Sequence, residues 1–218
     1  MALLSTSAKE VGLALTPYQL NQFQTYYQDL VTWNKRSNLT AILGYEEVQI
    51  KHLLDSLTAV PILREKLPSR GSLLDVGSGG GCPGFPLKVA FPTLHLTLID
   101  SVAKKTSFLA HLCKALDLPD VDVYTGRAEE LAFRSGLREN FDIVVTRGVA
   151  SMRMLMELTL PFCRPGGLVI VWKKGDIDAE IKVSLHAMQI LNSKLKEVHP
   201  VDVKGLKDGR VLVVVEKC

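Results

Sequence analysis

Apolar positions change rhythm near residue 70. Before it, Leu20, Phe23, Tyr27, Leu30 and Val31 recur at helical spacing. Thr16 stands where it can cap that helix, and Pro17 fits its first position. Lys35 and Arg36 favour the negative end of the helix dipole, and Asn38 can terminate it. A second helix is expected from about Glu46 to Leu67, with Ile50, Leu53, Leu54 and Leu57 on its apolar side and a kink at Pro61. Pro68-Ser69-Arg70-Gly71 reads as a hinge. Beyond it, short apolar runs alternate with helical patterns. Strands are predicted near 73–76, 94–99, 121–125, 141–146 and 167–173, and helices near 85–91, 102–116, 127–134, 151–162 and 176–193. Such alternation implies a parallel sheet covered on both faces. Leu195 to Val203 and Arg210 to Lys217 are strand-like, and the short Gly205 to Gly209 turn between them makes an antiparallel pair. The predicted organisation is a helical extension over residues 1–70 and an α/β domain over 71–218.

The chemistry concentrates where the first strand ends. Leu73-Leu74-Asp75-Val76 runs into Gly77-Ser78-Gly79-Gly80-Gly81-Cys82-Pro83-Gly84, a loop with five glycines. A strand that opens through glycines into a helix is a nucleotide-binding pattern, because the backbone can turn tightly and approach a ligand closely. Asp100 closes the second apolar run, roughly 20 residues on, where a ribose-binding carboxylate is expected. An adenosine-containing cofactor is implied. Pro83 and Pro86 flank the helix entry, and Asp75 places a negative charge beside the loop. Both features disfavour a pyrophosphate on an uninterrupted helix N-terminus. They suit a ligand with an ammonium, a sulfonium and no phosphate, which describes S-adenosylmethionine. Each acid has a second reading: Asp75 can simply accept loop amides, and Asp100 can cap the helix that starts near Val102.

The bulk properties narrow the class. With 218 residues, 47% of them hydrophobic, the chain suffices for one α/β domain and a modest extension. No apolar run approaches the ~20 residues of a membrane span, and no secretion signal is evident at Met1-Ala2-Leu3-Leu4. Cys82, Cys113, Cys163 and Cys218 have no paired spacing, and the histidines form no metal motif, so a reduced cytoplasmic protein without metal or disulfide is expected. A net charge of +3 permits a nucleic-acid partner without requiring one.

Six strings occur in one order: Trp33-Asn34-Lys35-Arg36-Ser37-Asn38-Leu39-Thr40-Ala41, His52-Leu53-Leu54-Asp55-Ser56-Leu57, the glycine loop, Asp100-Ser101 with Lys104-Lys105, Gly126-Arg127-Ala128-Glu129-Glu130, and Thr146-Arg147-Gly148-Val149-Ala150. Over about residues 16–175 the whole resembles the bacterial small-subunit ribosomal RNA methyltransferase G family, also called glucose-inhibited division protein B. The first two strings are the specific ones, since generic methyltransferases lack them. The resemblance implies a class I S-adenosylmethionine-dependent methyltransferase, with a Rossmann-like, mostly parallel sheet and a C-terminal antiparallel hairpin. Its expected activity is methyl transfer to N7 of a guanosine in a loop of 16S ribosomal RNA near the decoding site. It places cofactor contacts on Gly77, Cys82, Ala128, Glu129 and Arg147, beside Asp75, Gly79 and Asp100 read from the loop itself. Cys82 stands where relatives usually carry a larger apolar residue, Gly80 makes a third consecutive glycine, and Gly148 replaces a more usual alanine.

His52, Asp55 and Ser56 fall on one helix face. Guanine N7 already has a free lone pair, so no catalytic base is assigned, and this face is expected to stitch the helical extension to the domain or to hold RNA. Lys35, Arg36, Lys104, Lys105, Arg127, Arg147, Lys173 and Lys174 form a phosphate-binding rim if they converge, and solvated faces if they scatter. The expected partner is 16S ribosomal RNA or the small ribosomal subunit, bound by a monomer. Two other readings stay open: a methyltransferase acting on a small molecule, and a non-catalytic RNA-binding module.

Overall fold

The computed structural model describes residues 1–148 and 150–218, so Val149 of the Thr146–Ala150 string lies outside the described residues. Seven strands form one sheet in the order β3-β2-β1-β4-β5-β7-β6: β1 Ser72–Val76, β2 His95–Asp100, β3 Val121–Thr125, β4 Phe141–Arg147, β5 Cys163–Lys174, β6 Ser193–Pro200 and β7 Arg210–Lys217. The first five pair in parallel, and β7 runs antiparallel to both β5 and β6. Successive residues of β1 face opposite sides. Leu73 joins one apolar core and Leu74 the other, which is why the central strands are apolar throughout rather than alternating. The sheet winds outward from β1 through β2 to β3 on one side and from β4 to β5 on the other, so the order reverses between β1 and β4. In open α/β sheets that switch point opens a crevice at the carboxyl ends of the strands.

Helices α6 Gly84–Ala90, α7 Ala103–Ala115, α8 Ala128–Leu131, α9 Met152–Thr159 and α10 Asp178–Ile190 cover the sheet. Pro86 falls in the first turn of α6, where it removes no helical hydrogen bond. The apolar run at 127–134 predicts a longer helix than the four residues of α8.

The chain begins with α1 Ala2–Ser7 and a 3₁₀ turn, Ala8–Val11, before α2 Pro17–Ser37. Thr16 and Gln19 form a reciprocal capping box: Thr16 Oγ1 accepts from Gln19 N at 3.2 Å, and Gln19 Oε1 from Thr16 N at 2.9 Å. Asn38 ends α2 in the left-handed region at φ 45°. The second predicted helix is not a single kinked rod. It divides into α3 Tyr45–Val48, a π-helical stretch Gln49–Leu54, α4 Asp55–Leu57 and, after a turn, α5 Val60–Lys66. Pro61 sits at the start of α5, where its missing N–H has no helical acceptor to lose.

These N-terminal helices bury Leu4, Phe23, Leu30, Leu53 and Leu57 in one continuous core with Leu73, Leu96 and Leu98 of the sheet. Trp172 of β5 ties the two parts further, donating its indole N–H to the Asp55 carbonyl at 2.8 Å. The N-terminal segment is therefore held over the carboxyl end of the sheet, where it becomes a wall of the crevice. Among the described residues no helix is long and apolar enough to cross a membrane.

Candidate functional site

The loop after β1 closes onto β2: Gly77 N and Ser78 N both donate to the Ile99 carbonyl, at 2.9 and 3.0 Å. Gly77 takes φ 74°, a conformation that side chains strain. Gly84 is required for a different reason: a Cβ there would stand 2.6 Å from Leu98 Cδ2 and 2.8 Å from Asp75 Oδ2. That closeness lets Gly84 N donate to Asp75 Oδ2 at 2.9 Å.

Asp75, expected beside a ligand, lies under the loop rather than against the open space. It is completely buried beneath the loop and lines neither cleft described below, so its carboxyl group organises the turn. Burial pushes its pKa up to about 7, although the Gly84 amide and the Arg147 charge oppose that shift. Asp100 fulfils its capping reading. Its Oδ1 accepts from Val102 N and its Oδ2 from Gly79 N, each at 2.9 Å, so it caps α7 and pins the loop. It also borders the open space, with Lys105 Nζ 3.7 Å from Oδ2.

Two clefts meet at the ends of β1 and β2. The larger, of about 540 Å³, runs from Gly77, Gly79 and Cys82 to a wall made by Tyr26, Leu39 and Thr40. The smaller, of about 210 Å³, is bounded by Gly126, Ala128 and Glu129 on one side and by Met154 and Leu158 on the other. Gly77, Asp100 and Ser101 border both, so the two are lobes of one groove.

Arg147 ends β4 in the larger lobe and faces the N-terminal helices. Its Nη1 donates to Asp55 Oδ2 at 2.8 Å and approaches the Lys51 and His52 carbonyls of the π-helical stretch at 3.4 and 3.3 Å. Arg210 of β7 pairs with the other carboxylate oxygen, its Nη1 2.8 Å from Asp55 Oδ1. Arg147 Nη2 lies 3.2 Å from His52 Nδ1. A guanidinium has no lone pair, so His52 Nδ1 must accept and Nε2 must carry the hydrogen. Nε2 then donates to Thr40 Oγ1 at 3.0 Å. Burial, then the charge of Arg147, lowers the His52 pKa to about 4, so the ring is neutral at pH 7. No hydrogen bond joins His52 to Asp55; each is held by arginine.

Tyr26 closes the floor of the lobe. Its hydroxyl donates to the Gly80 carbonyl at 2.8 Å and lies 3.3 Å from Cys82 Sγ. Burial raises both the Tyr26 phenol and the Cys82 thiol, so neither is ionised at neutral pH.

The family model for rRNA small subunit methyltransferase G matches residues 19–207. The chain belongs to this family. It is 45% identical over 207 residues to ribosomal RNA small subunit methyltransferase G of Dehalococcoides mccartyi, covering 95% of this chain and 87% of that one. It is 40% identical over 209 residues to the protein of the same name from Bacillus cereus, covering 96% and 87%. Among solved structures, TYW2 of M. jannaschii in complex with AdoMet superposes with a TM-score of 0.54 at 16% identity, over 74% of each chain. TrmN from Thermus thermophilus gives 0.54 at 20% identity, over 75% of this chain and 49% of that one. The fold is that of class I S-adenosylmethionine methyltransferases.

The expected contacts Gly77, Gly79, Cys82, Asp100 and Arg147 line the larger lobe, and Ala128 and Glu129 line the smaller. Tyr26, Leu39, Arg210 and the hydrogen bonding of Thr40 to His52 escaped the sequence reading. Tyr26 and Leu39 look like ordinary apolar positions, and Arg210 is more than 150 residues from its partner Asp55.

Because the folded protein prefers a neutral His52, that preference stabilises it fully above pH 6.5 and is lost as pH falls from 6.5 toward 4. Raised Asp75 acts in the opposite sense between its ordinary value of 3.8 and about 7, but equally in both proteins compared here. Urea unfolding of wild type should therefore lose up to roughly 3 kcal/mol more than His52→Gln between pH 7 and 4. Parallel acid limbs for the two proteins would contradict the buried neutral ring.

Proposed function

We propose that the protein transfers the methyl group of S-adenosylmethionine to N7 of a guanosine in 16S ribosomal RNA. The observation that carries this reading is the two-lobed groove over Gly77 and Asp100, walled on one side by the N-terminal helices. The residues present suit the cofactor. Gly77 leaves the backbone bare at the saddle between the lobes. A carboxylate offers about four acceptor positions, and Asp100 commits two to backbone amides, leaving capacity for ribose hydroxyls. The smaller lobe, with Met154 and Leu158 facing Ala128 and Glu129, fits a flat adenine.

When bound, the cofactor supplies an electrophilic methyl carbon. The chain's own contribution is placement and exclusion of water. N7 needs no deprotonation, and the groups near it match that demand: His52 is paired through both ring nitrogens, Asp55 is held between two arginines, and Tyr26 and Cys82 are uncharged. In this reading residues 71–218 hold the cofactor and residues 1–70 supply the target side. Asp75, named among the expected cofactor contacts, serves through the loop it organises. One chain supplies both walls, which supports a monomer, and a ribosomal substrate supports a cytoplasmic enzyme.

RNA contact narrows to part of the expected rim. Arg127, Lys173 and Lys174 are neutralised by Glu129, Glu180 and Asp208 at 2.8, 2.7 and 2.9 Å, and Arg147 is internal. Trp33 packs α2 on α7 through Phe108, at 5.6 Å between ring centroids, with Arg36 stacked above it at 4.3 Å. Lys35 and Lys104 on those helices are exposed and have no ion-pair partner among the described residues. They suit phosphates beside the groove.

The reading is tested by incubating protein, cofactor and small-subunit RNA, then mapping N7-methylguanosine. Wild type should modify one 16S guanosine. Gly77→Val should bind S-adenosylmethionine at least about tenfold more weakly, ~1.4 kcal/mol, and lose the modification. No N7-methylguanosine from a cofactor-bound wild type would refute the function. Charge reversal at both Lys35→Glu and Lys104→Glu should keep cofactor affinity, weaken RNA binding and flatten its dependence on salt. Unchanged affinity and slope would place the RNA elsewhere and favour a small-molecule acceptor.

A further inference from the structure

The family assignment does not say how the acceptor base is chosen, and the geometry around Thr40 supplies an answer. Thr40 lines the larger lobe on the N-terminal wall. Its backbone is fixed by α2: Thr40 N donates to Asn34 Oδ1 at 2.9 Å. Its hydroxyl oxygen accepts from Ile42 N at 3.0 Å and lies 3.0 Å from His52 Nε2. Since Arg147 forces Nδ1 of His52 to be the acceptor, the Nε2 contact is a donation to Thr40. A hydroxyl has two acceptor lone pairs and one hydrogen. Both lone pairs of Thr40 are therefore engaged, and its hydrogen is the one part left for an incoming group. Leu30 and Leu39 border the same lobe and offer apolar surface to a flat base.

Resting on the proposed N7 reaction, we propose that Thr40 is the residue that selects guanine, its hydroxyl donating to O6 beside the reacting N7. Guanine presents N7 and O6 as adjacent acceptors, whereas adenine presents an N6 amino donor beside N7. A hydroxyl with both lone pairs occupied cannot accept from that amino group. The pairing with O6 leaves N7 free in the plane of the ring, facing the cofactor lobe. Thr40 acts on the substrate as a specificity determinant and moves no proton.

The test is single-turnover methyl transfer to small subunits reconstituted with 16S RNA that carries either guanosine or 2-aminopurine at the modified position. 2-Aminopurine keeps N7 and lacks O6. Thr40→Val should slow transfer to guanosine by about 10- to 100-fold, the effect of leaving one polar group unpaired in a dry site. Calorimetric affinity for S-adenosylmethionine should stay within about twofold, and Thr40→Ser should restore the rate. Wild type should be slowed to a similar extent by 2-aminopurine, and Thr40→Val should then cost nothing further. A wild-type rate for Thr40→Val, additive losses, or a loss that tracks cofactor affinity would each overturn the assignment. If Thr40→Val fails to fold, wild type on the 2-aminopurine RNA decides alone, and an undiminished rate overturns it. A wild type that binds cofactor but leaves guanosine RNA unmodified removes the functional reading and this assignment together.

Discussion

Arg147 is the point where three parts of the chain meet. It leaves the end of β4, reaches the π-helical stretch and α4 of the N-terminal segment, and shares the Asp55 carboxylate with Arg210 of β7. Asp55 is almost wholly buried, so removing its carboxylate would leave the two guanidinium groups without their shared counter-charge, at a cost of several kcal/mol. The network fixes more than stability. A guanidinium that can only donate sets the tautomer of His52, His52 then occupies a lone pair of Thr40, and the wall of the groove acquires a defined donor. The widened π-helical turn has a use in this arrangement, since it directs the Lys51 and His52 carbonyls at the same guanidinium.

The cofactor side depends on a separate constraint, the close approach of loop and sheet. Gly84 sits against Asp75 and Leu98 with no room for a side chain, and Asp100 holds Gly79 and the start of α7 in one grip. These contacts set the shape of the groove over Gly77. Two rigid halves then face each other across the space: a loop held by two buried acids, and a helical wall held by one arginine pair.

Much of this was legible in the sequence because it is local. The glycine loop, the acids at the ends of β1 and β2, the Thr16 cap and the alternation of strands and helices each occupy a few consecutive residues. The parallel sheet and its antiparallel finish followed from that alternation. What escaped depends on contacts between distant positions. Asp75 and Asp100 both lie at strand ends and both are buried, yet only Asp100 borders the groove, a difference no local pattern encodes. His52 and Asp55 share a helix face expected to stitch the extension to the domain or to hold RNA, but the arginines that meet it, Arg147 and Arg210, arrive from β4 and β7 and have no local signal. Lys173 and Lys174 look like rim charges until Glu180 and Asp208 are placed beside them. The single long helix predicted over 46–67 failed for a related reason: the apolar spacing continues through the π-helical turn, and Pro61 reads equally as a kink or a helix start.

Burial and the charge of Arg147 keep His52 neutral, and the Arg147 contact puts its hydrogen on Nε2. Nitrogen-15 NMR of the imidazole reads this directly. The ring should show a protonated Nε2 and an unprotonated Nδ1 at neutral pH, with shifts that stay constant down to about pH 5 and titrate only near pH 4. A ring that titrates near 6.5, or one protonated at Nδ1, would contradict it.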